Sequence, residues 1–129
     1  MVRTRLVVMY RDIDTLGHVN NAVYLSYIEH ARVEMFNEYY RKYGNFHFVI
    51  ARAEIDYLHP LHLLDEVEVV AWVESIGRTS FTIGYEVYNG DGVLCARART
   101  VQVAYDPERR SKREIDPIFM RYLRAHLRT

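Results

Sequence analysis

Residues 24–43 read YLSYIEHARVEMFNEYYRKY. Set at helical spacing, Tyr24, Ile28, Ala31, Met35 and Tyr39 fall on one side through steps of three and four. Leu25, Phe36 and Tyr43 widen that side, and Ser26, His30, Asn37 and Arg41 fall opposite. Gly44 supplies the stop, because glycine readily takes the left-handed conformation that ends helices. The spacing predicts one helix from about residue 22 to about residue 43. So long a helix with so broad an apolar side must lie against something large, and the chain that follows supplies it. FHFVIARAEIDY (46–57) reads as extended. EVEVVAWVE (66–74) puts Val67, Val69, Ala71 and Val73 on one side, and TSFTIGYEVY (79–88) does the same with Phe81, Ile83, Tyr85 and Val87. Asn89-Gly90-Asp91-Gly92 is a hairpin turn, and VLCARARTVQVAY (93–105) is the last long strand.

Working outward to the ends, TRLVVMY (4–10) is an N-terminal strand. Asp116-Pro117 pairs a capping residue with proline at the first helical position, so PIFMRYLRAHLR is a short C-terminal helix. One strand, one long helix, a run of antiparallel strands and a last helix make an α+β chain, expected as a single domain over 1–129.

Composition narrows the partners. Seventeen basic residues balance seventeen acidic ones, which argues against a general nucleic-acid binder. No apolar stretch is long enough to span a bilayer, so no stable membrane insertion is expected, and the N-terminus lacks the apolar core of a signal peptide. A cytoplasmic location follows as the expectation. The single cysteine, Cys95, cannot form an internal disulfide and reads as a small buried residue. Eleven tyrosines suit packing or an interface.

The chemistry concentrates in YRDIDTLGHVNNA (10–22), between the first strand and the long helix. Asn20 and Asn21 precede the helix, and asparagine is a favoured N-cap. A helix start offers free N–H groups and a positive dipole end, which can hold an oxygen that becomes an anion during reaction. Gly17 lets the backbone turn or approach a ligand. Asp12 and Asp14 are the candidate carboxylates to attack a carbonyl or activate a water there. The residues alone do not choose between them. His18 is a candidate orienting or acid–base group. His59 and His62 form an H-x-x-H spacing without further ligands nearby, a weak metal signal. On the helix, Arg32 lies about 40° from Ile28 at 3.6 residues per turn and needs a partner, for which Glu29 is the local candidate. Gly77-Arg78-Thr79-Ser80, the basic run from Pro107 to Arg113, and Arg121, Arg124 and Arg128 are either solvated surface or contacts for a ligand's phosphates.

The run D-x-D-x-x-G-H-V-N-N-x-x-Y-L-x-Y-x-E-x-A-R, from Asp12 to Arg32, resembles the acyl-CoA thioesterases of the hot-dog fold. The nearest branch is that of 4-hydroxybenzoyl-CoA thioesterase and the Tol–Pal-linked thioesterases. The resemblance continues through Ala53–Pro60, Asp65–Val70 and Gly77–Phe81. It implies a long central helix wrapped by a curved antiparallel sheet, with dimers joined edge to edge, often paired into homotetramers, and active sites at the dimer interface. It also implies acyl-CoA hydrolysis with Asp14 as the catalytic carboxylate and the backbone N–H of Asn21 polarising the carbonyl. Gly17, His18, Arg78, Thr79 and Ser80 become substrate-binding candidates. No metal or other cofactor is implied, coenzyme A being part of the substrate. The alternative is a non-catalytic acyl-CoA-binding module of the same fold, which would have no need of a carboxylate beside the carbonyl.

Overall fold

The computed structural model describes residues 1–128. Strand β1 (Val2–Val7) is followed by a short 3-10 turn (Tyr10–Asp12), helices α1 (Val23–Met35) and α2 (Asn37–Tyr43), and strands β2 (Phe48–Tyr57), β3 (Glu66–Ile76), β4 (Ser80–Asn89) and β5 (Leu94–Asp106). A two-residue strand β6 (Ser111–Lys112) and helix α3 (Pro117–Ala125) end the chain. The sheet is antiparallel in the order β1-β3-β4-β5-β2, with β6 paired to β5. Helix α1 packs against β1 and β3 and buries Tyr24, Tyr27, Ile28, Ala31, Arg32 and Met35.

The expected single helix is two. It breaks at Phe36, whose φ of −108° and ψ of 14° leave the helical region. The bend takes Phe36 fully into the core, with its ring centre 4.9 Å from Phe119 and 6.1 Å from Phe81. Phe46 stacks on Phe119 at 3.8 Å, so one aromatic cluster joins α2, β4 and α3. Leu25 and Tyr43, expected to widen the apolar side, are exposed, and Tyr27 and Arg32 are buried in their stead. Gly44 ends α2 as expected, at φ +79°, and donates to the Tyr40 carbonyl at 3.0 Å. The Asp116 carboxylate caps α3 by accepting from Phe119 N–H at 2.8 Å with Pro117 beside it, though α3 stops at Ala125. The first strand ends at Val7 and the second begins at Phe48, each shorter than its apolar run.

The two edge strands of the sheet are β1, beside β3, and β2, beside β5. Residues opposite one another in an antiparallel pair share a face. Ile50, Ala53, Ile55 and Tyr57 lie opposite Gln102, Thr100, Ala98 and Ala96, so they form the inner face of β2. That face is apolar, yet Ile50, Ala53 and Tyr57 are exposed. Arg52, Glu54 and Asp56 line the outer face. There Trp72 lies opposite Gly84, and a Cβ on Gly84 would sit 2.7 Å from the indole ring. The Arg128 guanidinium covers that ring at 4.4 Å.

Candidate active site

The loop before α1 folds around Asp14. Its backbone N–H donates to the His18 carbonyl at 2.8 Å. One carboxylate oxygen, Oδ1, accepts from Leu16 N–H at 2.8 Å and His18 N–H at 3.3 Å. Gly17 makes the turn possible at φ +82°, a conformation costly for residues with a Cβ. Two backbone donors therefore fix one oxygen, and among the described residues Oδ2 has no partner. The His18 ring rests edge-on against His62 at 5.1 Å between centres. The H-x-x-H pair thus separates, His62 packing on His18, and no cluster of three metal-ligating side chains forms among the described residues.

Asp12 has a different task. Its Oδ2 accepts from Met9 N–H and the Tyr27 hydroxyl, each at 2.9 Å, and its carbonyl accepts from Asn20 N–H at 2.9 Å. Asp12 therefore ties the loop to α1. The arrangement raises the Tyr27 phenol well above its usual range, through burial first and the Asp12 carboxylate second.

The helix begins one residue later than expected, with Ala22 in the capping position and no side-chain cap. The Asn20 side chain instead accepts from Ala22 N–H at 2.9 Å, and its carbonyl accepts from Val23 N–H at 2.9 Å. The Asn21 carbonyl accepts from the Tyr57 hydroxyl at 2.8 Å. The peptides on both sides of Asn21 are thereby held, while Asn21 N–H has no acceptor among the described residues. Tyr57 escaped the sequence reading; its only signal there is a polar tip at the end of an otherwise apolar strand face. Its ring packs edge-on against Tyr24 at 5.1 Å. Burial, reinforced by Cys95, pushes the Tyr24 phenol up to about 12.

Asp14, His18, Asn21, Tyr24, Tyr57 and His59 line one open cleft of about 520 Å³. Gly17 shapes its loop without lining it. Arg78 and Thr79 lie elsewhere, with Arg109, Lys112 and Arg113 around a cleft of about 320 Å³ that Asp106 and Glu114 also line, Glu114 3.5 Å from Arg78 and Asp106 3.9 Å from Arg109, which leaves it net basic. Ser80 opens β4 and does not line that cleft; its carbonyl accepts from Gly77 N–H at 2.7 Å. Arg121 and Arg124 line neither cleft. Thr79 O accepts from Ala104 N–H at 2.8 Å, and Ala104 lies opposite Phe48, which puts the basic cleft at the Phe48 end of β2. Asn21 and Asp14 are at the Tyr57 end. The expected Glu29–Arg32 pair does not form: Arg32 turns inward to the Tyr85 hydroxyl at 3.3 Å and Glu29 stays exposed.

Residues 8–123 match the family model described as the thioesterase-like superfamily. The chain belongs to that superfamily. A thioesterase from Thermus thermophilus, crystallised with coenzyme A and zinc, is 38% identical and superposes with a TM-score of 0.84 over 95% of this chain and 92% of its own. A predicted thioesterase from Bacillus stearothermophilus is 28% identical, with a TM-score of 0.87 over 99% and 98%. The acyl-CoA thioester hydrolase YbgC of Escherichia coli O6:H1 is 29% identical over 105 residues, 78% of each chain. The helix-in-sheet architecture is therefore the hot-dog fold that the Asp12–Arg32 run implied.

Proposed function

We propose that this protein is an acyl-CoA thioesterase, hydrolysing the thioester to a free acid and coenzyme A. Membership of the superfamily supports the reaction class. The observation that carries the mechanism is Asp14 Oδ2, unpartnered in the same cleft as an Asn21 N–H that lacks an acceptor. The carboxylate attacks the thioester carbon, expelling the coenzyme A thiolate and leaving a mixed anhydride for water to cleave, or it removes a proton from a water that attacks instead. Both routes put negative charge on the carbonyl oxygen, which Asn21 N–H and the start of α1 stabilise. Thiolate is a good leaving group, so no strong general acid is required.

The second part of the proposal is a dimer through β2. A free edge with an exposed apolar inner face is a template for a second copy. Antiparallel pairing about a two-fold axis brings the Phe48 end of one β2 to the Tyr57 end of the other. The basic cleft of Arg78 and Thr79 in one protomer then stands near the Asp14 cleft of its partner, where it binds the phosphates of coenzyme A. A single chain keeps the two clefts at opposite ends of the strand, so the dimer is what unites them.

The test is a panel of acyl-CoAs with detection of released thiol. Asp14→Asn should lose at least ~10²-fold in kcat, the usual scale for a carboxylate acting in the transition state. Asp12→Asn, which keeps a hydrogen-bonding group toward Tyr27, should stay much nearer wild type. Normal turnover by Asp14→Asn with loss in Asp12→Asn would reverse the assignment. Tight acyl-CoA binding without cleavage would make the protein a binding module.

A further inference from the structure

Arg32 is 8% exposed, and no carboxylate of the described residues lies within salt-bridge distance of its guanidinium. It meets the Tyr85 hydroxyl at 3.3 Å and lies over the Phe48 ring at 5.6 Å. Tyr85 continues to Thr100 Oγ1 at 2.8 Å, and Thr100 to the Gln102 amide. Tyr85 and Gln102 are fully buried and Thr100 nearly so. With its nitrogen against Thr100, the Gln102 amide leaves Oε1 buried without a partner. Hydrogen-bond balance favours the reverse orientation. Arg32 donates to Tyr85, Tyr85 donates to Thr100, and Thr100 donates to Gln102 Oε1. The chain then ends on a buried amide N–H with no acceptor among the described residues, beside a buried cation with no carboxylate in salt-bridge contact. Each is costly alone, and one bound anion would satisfy both.

Thr100 and Gln102 lie on β5, one strand in from the β2 edge. Thr100 is opposite Ala53 and Gln102 opposite Ile50, on the inner face of β2 that this chain leaves uncovered. Between the level of Tyr57 and that of Thr100, β5 presents Ala96 and Ala98 and β2 presents Ile55 and then Ala53. Four residues of strand separate those levels, ~13 Å.

We infer that Arg32 and Gln102 form a receptor for an anionic group at the far end of the acyl chain, so that the favoured substrates are thioesters of dicarboxylic acids. This rests on the thioesterase reading above and deepens it. The experiment compares coenzyme A monoesters of dicarboxylic acids, from succinyl to sebacoyl, with methyl-ended acyl-CoAs of equal length. Wild type should prefer the carboxyl-ended ester in kcat/KM by at least ~10²-fold at its best length, as expected of a site built to pair a polar group. Arg32→Met should abolish that preference while cleavage of methyl-ended esters persists. Gln102→Leu should reduce it, and Arg32→Lys should retain part of it, which keeps the test open if Arg32→Met folds poorly. No preference at any length in wild type would overturn the inference. So would an equal loss on both series in Arg32→Met and Gln102→Leu, or conversion of Arg32→Met to a monomer in sedimentation, which would assign the counter-charge to a partner subunit. If no ester is cleaved, the thioesterase reading fails, and calorimetric binding of the same two series still decides the receptor by the same ratio.

Discussion

Replacing Tyr57 with Phe removes one hydroxyl and leaves the ring, with its contact to Tyr24, in place. That hydroxyl donates to the Asn21 carbonyl at 2.8 Å, across 36 residues of sequence. Asn21 is exposed, so water replaces the lost donor, and the stability cost should fall at the low end of ~0.5–1.5 kcal/mol. The catalytic cost should be larger. Asn21 N–H is the proposed oxyanion donor, and its orientation depends on the Asn20 carbonyl, held by Val23 N–H, on one side and on the Asn21 carbonyl, held by Tyr57, on the other. Removing an oxyanion donor outright costs about 10²–10³ in kcat. Here the donor remains but loses one of its restraints, so a loss of ~10-fold is expected, equivalent to ~1.4 kcal/mol of transition-state stabilisation. The loss should sit in kcat with KM nearly unchanged, because the hydroxyl is engaged by backbone and the N–H acts on charge that develops only in the transition state. Steady-state kinetics on the best acyl-CoA, with a thermal melt as control, measure both quantities. A kcat within twofold of wild type, or a rise in KM at constant kcat, would refute the reasoning.

Three further outcomes follow from the packing. Gly84→Ala should destabilise by ~1–3 kcal/mol, since its Cβ would meet the Trp72 ring at 2.7 Å and Glu74 Oε1 at 2.5 Å while Arg128 covers the indole; a thermal or urea melt measures it. Alkaline unfolding should begin near the ordinary tyrosine range. Burial raises Tyr24 from 10.0 to about 12 and also raises Tyr39, Tyr40 and Tyr85, so the unfolded chain releases these protons first. Stability is thus fully present below pH 10 and lost as pH rises toward 12, and Tyr24→Phe should soften that loss in melts followed by tyrosinate absorbance. Cys95 is buried and burial pushes its thiol up, so a thiol reagent should label it only on unfolding, leaving the coenzyme A thiol assay free of background.

Much of the architecture is legible because it is local. The spacing of Tyr24, Ile28, Ala31 and Met35 marks α1, alternation marks β3 and β4, and Asp116-Pro117 marks the start of α3. The loop from Asp12 to Asn21 announced its carboxylates and its helix start, and the resemblance to the thioesterases selected Asp14. The break at Phe36 was not legible, because what bends the helix is a ring finding Phe81 and Phe119, far along the chain. Glu29 was the natural partner for Arg32 by sequence distance, but the buried side of α1 faces Tyr85, and the guanidinium follows its burial.

The sequence by itself determined which segments are helix and strand and which short loop carries the candidate reactive groups, since periodicity and turn chemistry act over a few residues. Only the tertiary structure decided that β2 is an edge strand, that Tyr57 restrains Asn21, and that the basic cleft lies at the opposite end of that strand from Asp14. Those facts depend on strand order and register. Strand order is set by the packing of the whole sheet around α1, which no local spacing encodes.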